Sequence, residues 1–332
     1  MSIIVTGSVA TDHLMSFEGS FAEQLLPEHI ESLSLSFLAE ELNIRRGGVG
    51  ANIAFHLGVL GLSPLLVAAV GPDFADYNAW LRRHGVDTSF LHTSDTRLTA
   101  RFVCTTDRDQ RQLATFYSGA MSEAALIELE PAVTHAGADP LVVIAPNDPG
   151  AMLRHTAECR DRGYRFAADP SQQLARIDGA EIRQLVEGAE FLFGNEYERS
   201  LLEHKTGLST DDLTGWVEVM VTTLGAAGVV LRRRGGAEVR VAAVPARVVA
   251  DPTGVGDGFR AGYLAGVQWG LDDERAAQLG CTLATLVLET VGTQEYDTTP
   301  STLLDRLAAA YGDAAAAEVA DHLKTQPVAA LS

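Results

Sequence analysis

Short apolar runs bounded by turn residues alternate along this chain with segments whose apolar positions recur at helical spacing. The runs are Ile3–Thr6, Leu65–Val70, Leu141–Ala145, Arg165–Ala168, Phe191–Phe193 and Val217–Thr222; the helical patterns occupy Ala51–Leu60, Phe74–His84, Ala151–Arg162, Ile182–Glu187 and Tyr197–Lys205. Such alternation predicts an α/β fold, a doubly wound and mostly parallel sheet wrapped by helices. Two stretches break it, Ser34–Arg45 and Arg97–Tyr117. In the second, Arg101–Thr106 and Gln112–Tyr117 read as strands around the charged turn Asp107–Arg111. The expectation is one α/β domain over residues 1–332, carrying a discontinuous β-lid built from about 13–18, 34–46 and 97–117. The Ala-rich end, Leu307–Leu323, reads as a helix.

Polar residues follow five of the strands: Gly7-Ser8 with Asp12, Asn147-Asp148, Asp169 with Gln172-Gln173, Asn195 with Glu198, and Thr223 with Gly225. Asn and Asp cap helices and start turns, which accounts for any one of these alone. Recurrence at five ends marks one functional edge, because ligands of open α/β sheets bind outside the carboxyl ends of the strands.

The densest chemical signal is Asp251-Pro-Thr-Gly-Val-Gly-Asp-Gly-Phe-Arg-Ala-Gly262, followed by apolar Tyr263, Leu264 and Val267 at helical spacing. A bare glycine turn at a helix start offers unpaired N–H groups and the positive end of the macrodipole to an anion. A carboxylate in that turn would repel a phosphate that is merely bound. Asp257 therefore reads as a base that takes the proton of an attacking hydroxyl, with the N–H groups of Gly254, Val255 and Gly256 as an anion hole. The segment is neither a Walker A loop nor a dinucleotide fingerprint. Gly258, Gly262, Gly266 and Gly270 recur every fourth residue and would also serve to bring a helix close to a sheet.

A net charge of −19 excludes a nucleic-acid or anionic-membrane surface, so an anionic nucleotide has to be met locally by backbone dipoles and a cation. Cys104, Cys159 and Cys281 are odd in number and widely spaced, which suggests neither a disulfide framework nor a metal cluster. Without a leader pattern or a long apolar span, the expected setting is soluble and cytoplasmic.

The glycine loop resembles the C-terminal signature of the ribokinase-like (PfkB) carbohydrate kinases. Val5-Thr-Gly-Ser-Val-Ala-Thr-Asp-His-Leu14, Asp169-Pro-Ser-Gln-Gln-Leu-Ala-Arg176 and Glu289-Thr-Val-Gly-Thr-Gln-Glu295 are most similar to the adenosine kinases of actinobacteria. The resemblance covers nearly the whole chain and implies ATP-dependent phosphorylation of a primary hydroxyl. Asn195 and Glu198 resemble the family's N-x-x-E motif, which implies Mg²⁺ held through waters near the phosphates. Thr223, Gly225 and Gly228 match its T-L-G-x-x-G segment and would line the ATP channel with Asn195, Thr253 and Gly256. Asp251 and Thr253, with the loop Gly292–Glu295, overlie the positions that hold a monovalent cation in ribokinases, which implies K⁺, although Glu295 replaces a small residue there.

On the acceptor side, Arg46-Gly-Gly-Val-Gly-Ala-Asn-Ile-Ala54 resembles the N-terminal signature, with Val49 in place of its lysine. Gly48 and Asn52 would approach the sugar, Ser8 lies beside them, and Asp12 would accept hydrogen bonds from two ribose hydroxyls. Phe102 and Phe116 would sandwich a purine, with Gln172, Gln173 and Arg176 refining its recognition. Core packing is the ordinary use of two strand phenylalanines. The leading reading is adenosine converted to AMP; a ribokinase-like sugar kinase, a non-catalytic nucleotide- or sugar-binding regulator and a nicotinamide oxidoreductase stay open. The resemblance also implies a homodimer formed through the lid, and the net charge argues against nucleic acid or membrane as a partner.

Overall fold

In a computed structural model, residues 2–24 and 36–323 are described. Eight strands form the central sheet, in the order Glu238–Val241, Val229–Arg233, Val219–Thr223, Phe191–Asn195, Arg165–Ala168, Leu141–Ile144, Ile3–Thr6 and Leu65–Val67. The first three pair antiparallel and every later pair is parallel. Because side chains alternate across a strand, the sheet divides its apolar residues between two cores. Ile3, Val5, Leu141 and Val143 join the core under helices Val49–Val59, Val255–Gln268 and Asp273–Leu288. Ile4, Val142 and Ile144 join the one under Pro149–Arg162, Gly179–Val186 and Glu196–Thr206.

The chain runs from Ile3–Thr6 to Leu65–Val67 on one side and returns to the other side with Leu141–Ile144, so strand order reverses between Ile3–Thr6 and Leu141–Ile144. That switch point opens a crevice at the carboxyl ends, bridged by the Ser8 N–H donating to the Pro146 carbonyl at 2.8 Å.

The lid is a separate four-stranded sheet in the order Glu41–Gly47, Ala10–Phe17, Ala100–Asp107, Gln112–Tyr117. Its first segment starts at Ala10, earlier than expected, and this brings Asp12 into the sheet. Part of the expected segment from 34 lies outside the described residues.

Three local expectations are corrected. The run Leu65–Val70 divides, because Ala69–Val70 leaves the main sheet to pair with His92–Thr93. The Ala-rich end forms two helices, Pro300–Tyr311 and Asp313–Leu323, parted by Gly312. The glycine stripe packs on a helix and not on the sheet. A Cβ at Gly262 would stand 2.7 Å from the Cα of Gly280 in Asp273–Leu288, and Gly258 and Gly266 meet Val287 and Ala276 of that helix as closely. Gly270 lies past the helix end with no such neighbour.

Candidate active site

The Thr253–Asp257 turn opens helix Val255–Gln268 from an N-cap, Gly254, in the left-handed region at φ 75°. A side chain there would be strained, and its Cβ would stand 2.7 Å from Thr293 Cγ2. No side chain caps this helix start, and the first N–H groups of a helix have no partner within it. Thr253, Gly254, Gly256 and Asp257 line a cavity of about 610 Å³ at the switch-point crevice. Val255 does not line it, and its N–H points to the Pro252 carbonyl at 3.5 Å.

Asp257 does not cap the helix. Its Oδ2 accepts from Nδ2 of Asn52 at 2.8 Å. The other end of the Asn52 carboxamide accepts from the Thr293 hydroxyl and from Nε2 of Gln294, both at 2.9 Å. Gln294 in turn donates to Tyr77 OH at 2.6 Å and accepts from Nε1 of Trp80 at 3.1 Å. Asn52, expected to reach a sugar, thus holds the Asp257 carboxylate; its amide cannot turn toward a ligand without breaking this chain of bonds.

Arg260, one turn beyond Asp257, is 7% exposed and pairs with the fully enclosed carboxylate of Asp169 through two 2.6 Å contacts. Its guanidinium lies against Gly256, where a Cβ would meet Nη1 at 2.6 Å. Burial pushes Asp257 up to about 6, against the opposing pull of Arg260 and of the Asn52 N–H. Burial works against the charge of Arg260 as well, but the carboxylates of Asp169, Asp257 and Glu198 outweigh it and raise its pKa.

The lid supplies the facing wall through a single row. In strand register Arg45 pairs with Asp12, Asp12 with Phe102, and Phe102 with Phe116, so the four side chains leave one face side by side. Asp12, Phe102 and Phe116 line the cavity. Phe102 is half-buried and Phe116 is 45% exposed, so neither belongs to a core. Phe102 and Phe116 thus stand as cross-strand neighbours on the face of the lid that lines the cavity. Burial raises Asp12 to about 6; Arg45 lowers it and Asp251 adds to the rise. Below this row Gly48 takes φ 92°, where a Cβ would press to 2.6 Å on Ala10 N and the Ser8 carbonyl, while the Ser8 hydroxyl accepts from Val49 N at 3.0 Å.

The remaining expected residues divide. Gln172, Gln173 and Arg176 line the cavity. Nε2 of the buried Gln173 donates to the Asn147 carbonyl at 2.8 Å, which leaves Oε1 as an acceptor with no protein partner. Thr223 and Gly225 line the cavity, but Gly228 does not: it packs against the Val241 carbonyl beyond the turn. Asn195 and Glu198 line it too, joined as a reciprocal helix cap with both bonds at 2.9 Å. Asp251 stands outside the lining, with Oδ1 accepting from Thr253 N at 2.9 Å and Oδ2 from Gly292 N at 3.1 Å. Arg45 lies 3.7 Å away, so donors and a positive charge face this carboxylate and the arrangement does not fit K⁺.

A model of the pfkB family carbohydrate kinases matches residues 19–300. The chain belongs to that family. This kinase is 31% identical over 256 residues to a nucleoside kinase of Methanothermobacter thermautotrophicus, covering 75% of this chain and 80% of the relative. With the nucleoside kinase of Methanocaldococcus jannaschii it shares 29% over 266 residues, covering 79% and 85%. In structure it is similar to Burkholderia thailandensis nucleoside kinase in complex with inosine, at TM-score 0.80 and 32% identity over 94% of this chain and 98% of the other. The Burkholderia protein has also been solved in complex with ADP-inosine.

Among the described residues the kinase has no cluster of three or more His, Cys, Asp or Glu that could hold a metal. Mg²⁺ needs none, since it keeps several waters and binds through nucleotide phosphates and one or two carboxylates. Glu198, on the cavity wall, fits that use. Sequence reading missed Arg260, and it singled out the loop Gly292–Glu295 without the bonds by which Thr293 and Gln294 hold Asn52. Arg260 had a signal, as the single charge on the apolar, glycine-rich helix after Asp257. Thr293 and Gln294 meet Asn52 across more than two hundred residues, and no local pattern announces that contact.

Proposed function

We propose that this kinase transfers the γ-phosphoryl group of ATP to the 5′-hydroxyl of a nucleoside, with adenosine as the preferred acceptor. What carries the reading is convergence in one cavity: an uncapped, glycine-bare helix start with a buried carboxylate faces a lid row of carboxylate and aromatic rings. A free sugar would use Asp12 but has nothing to lay against Phe102 and Phe116. A base does, and each ring it covers contributes roughly 1–3 kcal/mol. Its similarity to nucleoside kinases supports the same class of acceptor.

Asp12 accepts the ribose hydroxyls and so fixes the 5′-oxygen at the turn. Asp257, aimed by Asn52, takes that oxygen's proton as it attacks the γ-phosphorus, and the ADP oxygen leaves in line. The N–H groups of Gly254 and Gly256 and the guanidinium of Arg260 face the charge spread over the transferring group. Mg²⁺ held by Glu198 through waters would supply neutralisation of the phosphate oxygens. Thr223, Gly225, Thr253 and Asn195 line the nucleotide side. The free acceptor of Gln173 suits a base that offers a hydrogen-bond donor, as the 6-amino group of adenine and the N1–H of hypoxanthine both do, so the preference for adenosine rests on the resemblance of the sequence to adenosine kinases.

Alternation along the lid places a second row, Leu42, Met15, Thr105 and Leu113, on the face opposite Asp12. Leu42 and Ile44 are 55% and 60% exposed there, an apolar patch that supports a homodimer formed through the lid.

The test is ADP release measured side by side with adenosine, inosine, guanosine, ribose and fructose. Adenosine is expected to give the highest kcat/KM. Preferred turnover of ribose or fructose would make this a sugar kinase; preference for inosine would keep the nucleoside class and overturn the adenosine preference.

A further inference from the structure

Two arginines of the lid strand Glu41–Gly47 reach the loops beneath it. Arg46 pairs with Glu295 at 3.1 Å, and its carbonyl accepts from the Thr293 hydroxyl at 3.0 Å. Arg45 places Nη1 3.7 Å from Oδ2 of Asp251. A Cβ built on Gly292 would stand 3.5 Å from both Cδ and Nη1 of Arg45, so the guanidinium stem lies over that glycine. The two oxygens of Asp251 already accept the N–H groups of Thr253 and Gly292. A bound monovalent cation needs oxygens turned toward it, whereas here each group aimed at the carboxylate is a donor. One of them is the positively charged guanidinium of Arg45.

We infer that the Arg45 guanidinium takes the place of the monovalent cation expected beside Asp251, so that this kinase orders its nucleotide loop without potassium. Asp251 is tied through Thr253 N to the Thr253–Gly254 turn that lines the cavity, and an uncompensated carboxylate there would oppose an incoming nucleotide. Arg45 removes that opposition. It is also the register partner of Asp12, so the compensating charge and the ribose acceptor are carried by neighbouring strands of one sheet. The inference requires nucleotide binding only, and it stands or falls independently of which acceptor is phosphorylated.

The experiment is calorimetric binding of Mg-ADP, without nucleoside, in KCl, NaCl and tetramethylammonium chloride at equal ionic strength. Wild-type affinity is expected to agree within about twofold across the three salts. Arg45→Ala is expected to bind about three- to tenfold more weakly in tetramethylammonium and to recover in KCl. Wild-type binding that depends severalfold on K⁺ overturns the inference, and so does a variant that keeps full affinity or is equally weakened in all three salts. The wild-type comparison decides the matter even if the variant does not fold.

Discussion

Burial lifts two carboxylates of the cavity, Asp257 on the helix and Asp12 on the lid, from 3.8 to about 6. Both act as acceptors in the proposed reaction, one for a proton and one for hydroxyl hydrogens, so both have to be ionised. Protonation therefore lowers kcat/KM as pH falls through about 6, and with two groups titrating together the limiting slope is expected to approach about two. A pH–rate profile of wild type and Asp12→Asn checks this: the variant should lose one step of the slope along with affinity for nucleoside. An acid limb near the ordinary carboxylate value would mean that neither group is buried as described. For Asp257 the sign on stability runs the other way from that on activity. Its folded pKa lies above the unfolded one, so the stability associated with its proton is present below about 4 and lost as pH rises through about 6.

At the scale of elements, strand and helix positions were legible because each carries its own period: Ile3–Thr6 and Arg165–Ala168 appear with the expected bounds. The glycine turn was legible as well, since a bare N–H row ahead of a helical pattern is a local signal. Contacts between elements were not. The Asn52–Thr293–Gln294 chain joins the start of one helix to a loop near the far end of the sequence, and the lid row depends on register across four strands. Register also decides what the phenylalanines do. As cross-strand neighbours on the cavity face, Phe102 and Phe116 are expected to contribute roughly 1–3 kcal/mol each to base binding. Phe102→Ala and Phe116→Ala should raise the KM for adenosine, leave that for ATP nearly unchanged and barely move the melting temperature. Loss of stability on the scale of a core phenylalanine, about 3–5 kcal/mol, would contradict their placement on the cavity.

For the molecule as a whole, the switch point fixes where the cavity opens and the lid sheet fixes what faces it, one face of the lid lining the cavity and the other exposing apolar side chains. Leu42, Ile44 and Leu113 are exposed on the outer face of the lid, where the proposed homodimer would bury them. Light scattering should give a dimer for the wild type and a monomer for Leu42→Glu with Ile44→Glu; a wild-type monomer at micromolar concentration would remove the lid interface. No helix among the described residues is long and apolar enough to cross a membrane. The central claim, that the buried carboxylate at the helix start takes the proton of the attacking hydroxyl, is tested most directly by the adenosine-dependent kcat of Asp257→Asn. Asparagine keeps the shape and can still accept from Asn52, so ADP binding should survive while kcat falls by roughly 10²–10⁴. A variant that turns over at nearly the wild-type rate would show that Asp257 is not the base.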